Sequence, residues 1–146
     1  MSRAPHHHLQ ALAIQLSYLA VYVCCLALAI PAKKAALRRA NAQAPKGTYD
    51  RYSDPALFVY DRIGGNFVEW QGTFTALFWL NVYFGDGSDV YVGWLYVLSR
   101  ILYAVLALQG NLTRKGPRPP LFIATGLGYG VILYLFYRLS VILYTY

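Results

Sequence analysis

The residues of this chain that could do chemistry are charged and polar side chains inside long apolar segments. Arg62, Asn66 and Glu69 stand at positions i, i+4 and i+7, a spacing that places all three on one face of a helix over about two turns. Arg100 and Tyr103, at i and i+3 of the next apolar segment, also share a face. A charge at the centre of a bilayer costs roughly 2.5–3.5 kcal/mol, so such residues usually face a bundle interior, a wet cavity or a partner. These five residues are therefore candidates for a functional site.

A purely structural explanation of the same charges stays open. Glu69 and Arg100 could form a buried ion pair that holds the two segments in register, and such pairs are weak evidence for stability. Arg138 lies near the end of the last apolar segment, where its long stem can reach water. We expect it to anchor the helix rather than to take part in chemistry. The three glycines within residues 126–130 favour close contact between helices.

The composition of the chain is typical of an integral membrane protein. Of its 146 residues, 58% are hydrophobic and 13% are charged, whereas a soluble domain carries about 25% charged residues. About 20 helical residues cross the roughly 30 Å of hydrocarbon, and the apolar runs lack the alternation of barrel strands. We therefore predict an all-α fold: an integral membrane four-helix bundle of antiparallel up-down topology, in one domain over residues 1–146. The predicted spans are 9–31, 55–84, 89–110 and 119–146.

The connections between the spans have distinct compositions. The first is a basic loop of about residues 32–54, at whose end Asp54 and Pro55 are typical of a helix N-cap and first turn. The second, residues 85–89, is acidic and short enough that it must be a tight turn. Spans two and three are therefore expected to be antiparallel neighbours.

The basic residues indicate the orientation in the membrane. Of the 13 Lys and Arg, nine lie between spans one and two or between spans three and four. Arg62 lies at the start of span two on the same side, and Arg3 alone lies on the opposite side. By the positive-inside rule, both basic connections face the cytoplasm or its equivalent, and both termini face the other side. The endoplasmic reticulum, the mitochondrion and the bacterial inner membrane fit this pattern equally. Topology explains the net charge of +7 without nucleic acid, and anionic lipid is the expected partner of the basic loop.

The cysteines and histidines do not indicate a metal site. Cys24 and Cys25 are adjacent in the first span, where thiols behave as small apolar groups, and neither a disulfide nor a metal framework is expected. The histidines at residues 6–8 are interpreted as a solvated tail.

The polar motifs resemble those of the MAPEG family, the membrane-associated proteins of eicosanoid and glutathione metabolism. The string from Arg62 through Asn66 to Glu69 resembles the family's Arg-x-x-x-Asn-x-x-Glu core on helix two. The pair Arg100 and Tyr103 is similar to its Arg-x-x-Tyr element on helix three. Arg114 then falls, without a gap, where members like the leukotriene-C synthase and the microsomal glutathione transferases carry the arginine that activates the thiol.

The resemblance implies that glutathione is the co-substrate and assigns roles in binding it. Arg62 and basic residues of the first loop would bind its carboxylates, Glu69 its amine and Asn66 its peptide. Arg114 would be catalytic, because a nearby cation lowers the thiol pKa from about 8.5 and favours the nucleophilic thiolate. The implied glutathione-binding set is Arg62, Asn66, Glu69, Arg100, Tyr103, Lys34 and Arg38.

The resemblance further implies a homotrimer with sites between subunits and an apolar electrophile or lipid hydroperoxide arriving from the bilayer. Three functions stay open. The first is a glutathione-dependent membrane transferase or peroxidase. The second is a non-catalytic relative that binds lipid or protein, which is favoured by Trp70, Val105 and Ala107 at positions where the family commonly has tyrosine, glutamine and tyrosine. The third is an accessory subunit of a larger membrane complex, which 14 tyrosines and three tryptophans would suit.

Overall fold

Four long helices account for nearly all of the chain in its computed structural model, which describes residues 4–43, 54–113 and 115–145. Their bounds are α1 Ala4–Gln43, α2 Pro55–Phe84, α3 Val90–Leu106 and α4 Pro119–Thr145. A π-helical turn, Ala107–Asn111, follows α3. A small antiparallel hairpin then pairs β1 Leu112–Thr113 with β2 Gly116–Pro117. The predicted all-α membrane bundle is confirmed.

Within these described ranges, three helical stretches are long and apolar enough to cross a membrane: His6–Ala42, Val90–Asn111 and Pro119–Thr145. The protein is thus an integral, multi-pass membrane protein. Helix α2, which carries Arg62 and Glu69, is not among the three, and its crossing of the membrane stays a prediction.

The first helix is longer than the sequence indicated. We expected a loop from residue 32, but α1 continues through Pro31 to Gln43. Proline removes one backbone hydrogen bond of a helix, a loss that membrane helices tolerate. The stretch after it is rich in alanine, lysine and arginine, which are strong helix formers. The basic residues of this stretch consequently lie on a helix that extends the first span.

Aromatic side chains form the centre of the bundle. The ring of Phe74 on α2 stacks on Tyr96 of α3 with centroids 3.8 Å apart. Tyr18 of α1 is fully buried beside both rings, and its hydroxyl donates a hydrogen bond to the carbonyl of Phe67, 2.6 Å away. This bond satisfies the phenol group inside the apolar core, as a buried tyrosine requires, and fixes α1 against α2.

Polar contacts are also made at the two ends of the bundle. At the start of α2, the amide of Leu57 donates to the Asp54 carboxylate at 3.3 Å, which confirms Asp54 as the predicted cap. At the other end of the bundle, Arg138 lies 2.8 Å from Asp89 and 3.6 Å from Asp86. Arg138 was expected to anchor α4 by reaching water. It instead anchors α4 to the α2–α3 turn through carboxylates.

Candidate functional site

The polar face predicted for helix two lies on one unbroken helix. Arg62, Asn66 and Glu69 all fall within α2, where Arg62 and Glu69 are exposed and Asn66 is half-buried. Their neighbours Ile63 and Phe67 are 2% and 1% exposed and pack into the core. The helix therefore places its apolar stripe inward, with Arg62 and Glu69 exposed and Asn66 at the border of the core. The three residues share one helix face, as their spacing predicted.

Arg100 is the most deeply buried charged residue of this region, with 1% of its surface exposed. Its Nη1 donates a hydrogen bond to Asn66 Oδ1 at 2.5 Å, and its Nε donates to Ser99 Oγ at 3.1 Å. The guanidinium carbon lies 5.0 Å from the centre of the Tyr96 ring, within cation–π range. The Arg100–Asn66 bond joins α3 to α2, so the two predicted polar faces meet.

The ion pair considered between Glu69 and Arg100 is not what the structure shows. Two of the three guanidinium nitrogens donate to Asn66 and Ser99, and the third, Nη2, is buried without a hydrogen-bond partner among the described residues. The Glu69 carboxylate instead lies back along its own helix, with Oε1 3.9 Å from where a Cβ on Gly65 would stand. A Cβ at position 65 would make ordinary van der Waals contact with this carboxylate, so the position of Glu69 does not depend on glycine there.

Tyr103 completes the cluster one turn further along α3. It is 6% exposed and lies three residues after Arg100, on the same face of α3. We call Arg62, Asn66, Glu69, Arg100 and Tyr103 the α2–α3 polar cluster. It contains an exposed cation, a buried cation, an exposed anion, an amide and a phenol.

The basic end of α1 approaches the same part of α2. Lys33 Nζ lies 3.0 Å from the carboxylate of Asp61, the residue directly before Arg62. Lys33 is one of the basic residues after the first span to which the family resemblance assigns carboxylate binding, and the sequence alone does not indicate Asp61 as its partner. Lys34 and Arg38, both exposed, follow on α1, with the spacing that puts them on one helix face. Ligand binding by either stays a prediction.

The predicted catalytic residue, Arg114, lies outside the described residues, and its role stays a prediction. An apolar groove of about 500 Å³ between α3 and α4 is lined mainly by Tyr91, Leu95, Leu127 and Tyr134. No member of the α2–α3 polar cluster lines it. Among the described residues no group of three or more His, Cys, Asp or Glu is arranged to hold a metal ion.

Comparison with known proteins identifies the family. The model of the MAPEG family matches residues 10–141, which is nearly the whole chain. The chain belongs to the MAPEG family. No curated protein and no solved structure matches it. Membership accounts for a membrane-embedded helical bundle and suggests a glutathione-related or kindred membrane function for this MAPEG protein.

In chemical terms, the α2–α3 polar cluster of this MAPEG protein is suited to a small zwitterionic ligand. Arg62 can bind a carboxylate by charge-assisted hydrogen bonds and Glu69 can bind an ammonium group. Asn66 has its oxygen engaged by Arg100, which leaves its Nδ2 group able to donate. Because Arg62, Asn66 and Glu69 all lie on α2, the helix itself fixes the relative positions of these three groups.

Proposed function

We propose that this protein is a glutathione-dependent membrane transferase or peroxidase that acts on apolar electrophiles or lipid hydroperoxides. One observation carries the proposal: the buried Arg100 holds the oxygen of Asn66 on the same helix face as Arg62 and Glu69. Burying a guanidinium among apolar residues costs free energy unless the group is paired or hydrogen-bonded. Here it orients a half-buried amide between two exposed charges.

The residues fit the functional groups of glutathione. This tripeptide carries two carboxylates, an ammonium group, two peptide units and a thiol. In the proposed complex, Arg62 binds a carboxylate, Glu69 the ammonium group and Asn66 a peptide oxygen. Tyr103 supplies a further hydrogen bond, and Lys34 and Arg38 add positive charge for the second carboxylate. Opposite charges about two turns apart discriminate a zwitterion from a simple anion, because each end of the ligand needs its own partner.

The proposed chemistry belongs to Arg114. A guanidinium near the thiol favours the thiolate, whose normal pKa is about 8.5, and so raises the nucleophilic fraction at neutral pH. In the transferase reaction, the thiolate sulfur forms a bond to the electrophilic carbon of the second substrate. The bond from that carbon to the leaving group, or to the oxygen of an epoxide ring, breaks, and its electron pair stays on the departing group or on the oxygen, which takes up a proton. The hydrophobic second substrate enters from the bilayer, where it is concentrated.

The exposure of Arg62 and Glu69 supports a partner that covers α2, and membership of the MAPEG family makes a neighbouring subunit of a homotrimer the proposed partner. Arg62 and Glu69 are exposed in the single chain although they belong to a helix predicted to cross the membrane. Charges in that position face a bundle interior, water or a partner rather than lipid. A neighbouring subunit that covers α2 would complete the site and exclude lipid from it.

The second candidate is a non-catalytic MAPEG protein that binds lipid or another protein, including as an accessory subunit of a larger membrane complex. Trp70 is the observation in its favour. Its ring packs on Tyr129 of α4 with centroids 4.8 Å apart, so the residue after Glu69 contributes to packing and has no hydroxyl for a thiol or peptide.

Glutathione binding by the detergent-purified protein tests the proposal. Titration calorimetry of the unchanged protein should show saturable binding, and Arg62→Ala should weaken it at least tenfold, because a charge-assisted bond contributes about 1.5–3 kcal/mol. Thr73→Ala, which alters an exposed residue of the same helix, is the matched control and should leave affinity unchanged. Absence of binding to the unchanged protein would favour the non-catalytic candidate.

A further inference from the structure

Gly128 of α4 lies directly against the guanidinium of Arg100. A Cβ placed on Gly128 would overlap Arg100 Nη2, and it would stand 2.9 Å from Arg100 Cζ and 3.0 Å from Ser99 Oγ. Real side-chain carbons do not approach other atoms this closely, so any larger residue at 128 requires the guanidinium to move. The absence of a side chain here is what allows Arg100 to lie between α3 and α4.

The other glycines of the same stretch do not share this property. A Cβ on Gly126 or on Gly130 would meet no atom within 4 Å. The stretch was interpreted as a set of small residues for close helix contact, but only Gly128 is held to glycine by a specific neighbour. The contact therefore belongs to Arg100 and not to the general packing of α4.

The Arg100 guanidinium has little freedom to move and keep its bonds. It is 1% exposed, and its Nε and Nη1 are already committed to Ser99 and Asn66. Displacement away from α4 would shift both bonds at once. The group at risk is the amide of Asn66, because its oxygen has no other partner among the described residues.

Arg100 also determines which way round the Asn66 amide lies. Arginine has only donors, so the atom 2.5 Å from Nη1 must be the amide oxygen, and the Nδ2 group is left as the donor. A ligand at Asn66 must then present an acceptor, such as a carbonyl or carboxylate oxygen.

We propose that Gly128 is a positioning residue for the α2–α3 polar cluster: it admits Arg100, which in turn orients Asn66 as a hydrogen-bond donor to an acceptor oxygen of the ligand. The inference rests on the proposed function in taking glutathione as that ligand. It adds that a residue on α4, outside the recognised motifs, controls affinity through two intervening side chains. Its effect falls on binding and not on the thiolate, because Arg114 belongs to a different segment.

The experiment compares Gly128→Ala with Gly126→Ala and Gly130→Ala in the full-length protein. We expect Gly128→Ala to raise the dissociation constant for glutathione at least tenfold, while the thiolate absorbance per bound glutathione stays unchanged. The two control variants should stay within twofold of the unchanged protein. Equal affinities in all three variants would overturn the proposal.

A double-mutant cycle separates this mechanism from loss of packing and does not depend on glutathione. If Gly128 acts through Arg100, the destabilisation caused by Gly128→Ala should disappear in an Arg100→Ala background, since the overlapping group is gone. Additive effects on unfolding would overturn the proposal. Coupled effects in a protein that binds no glutathione would overturn the proposed function while leaving the Gly128–Arg100–Asn66 relation intact.

If Gly128→Ala does not fold, a rescue variant still tests the proposal. Arg100→Lys removes Nη2, the atom that a Cβ at 128 overlaps, and retains a donor for Asn66. The double variant Gly128→Ala with Arg100→Lys should then fold. A double variant that stays unfolded would contradict the proposal, because the overlap would lie elsewhere.

Discussion

The hydrogen bond between Arg100 and Asn66 should be the main polar link between α2 and α3. Asn66→Ala removes the acceptor of a buried guanidinium, whose Nη2 already lacks a partner among the described residues. Hydrogen bonds to charged groups contribute about 1.5–3 kcal/mol. Because Asn66 is half-buried and water can partly replace it, we expect the lower part of that range, about 1.5–2 kcal/mol. Mild unfolding in mixed micelles, followed by helical circular dichroism, measures this change in the free energy of unfolding.

Two matched variants make the measurement decisive. Thr73→Ala, on an exposed position of the same helix, should change stability by less than about 0.5 kcal/mol. Glu69→Ala tests the rival ion pair with Arg100, and it should cost less than Asn66→Ala. A loss below about 0.5 kcal/mol for Asn66→Ala, or a larger loss for Glu69→Ala, would refute the assignment of Asn66 as the partner of Arg100.

Four further predictions rest on the same geometry and on the charge pattern. Arg114→Ala should lower turnover at least tenfold, about 1.4 kcal/mol of barrier, with glutathione affinity nearly unchanged, as steady-state kinetics and calorimetry will report. Single cysteines at Ala42 and Ser88, in a background without the native cysteines, should be labelled from opposite sides of the membrane, and labelling from one side would contradict the topology. Arg138→Ala should lower the free energy of unfolding, because it leaves the buried Asp89 carboxylate without its cation. Hydrogen bonds from Ser88 hold the pKa of the Asp86 carboxyl below its usual range. The contribution of this carboxylate to the free energy of unfolding is therefore present above about pH 4 and is lost as the pH falls through the lowered pKa. Stability measured against pH should therefore lose this acid-limb dependence in Asp86→Asn.

Helical periodicity predicted the parts of the site that depend on one helix. Arg62, Asn66 and Glu69 share a face of α2 because their spacing follows the helix repeat, and Asp54 caps the same helix as its residue type indicates. These features are local, so the sequence carries them without knowledge of the packing.

Features that depend on contacts between helices were harder to predict. Opposite charge favoured Glu69 as the partner of Arg100, but the rotation of α2 against α3 brings Asn66 to the guanidinium. Gly128 lies 28 residues from Arg100 in sequence, and its two neighbouring glycines look the same in the chain. Only the packing of α4 on α3 distinguishes them. The prediction of a loop after Pro31 was wrong. The charges of that stretch indicated a loop, whereas its alanine, lysine and arginine residues favour a helix, and α1 continues to Gln43.

The thiolate of bound glutathione tests the central claim most directly. Addition of glutathione to the detergent-purified protein at neutral pH should produce the ultraviolet absorbance of a thiolate, saturating with the calorimetric dissociation constant. The signal should disappear in Arg114→Ala and persist in Lys115→Ala, which changes the neighbouring cation. A protein that binds glutathione without any thiolate absorbance, or one in which Arg114→Ala leaves the absorbance unchanged, would contradict the account.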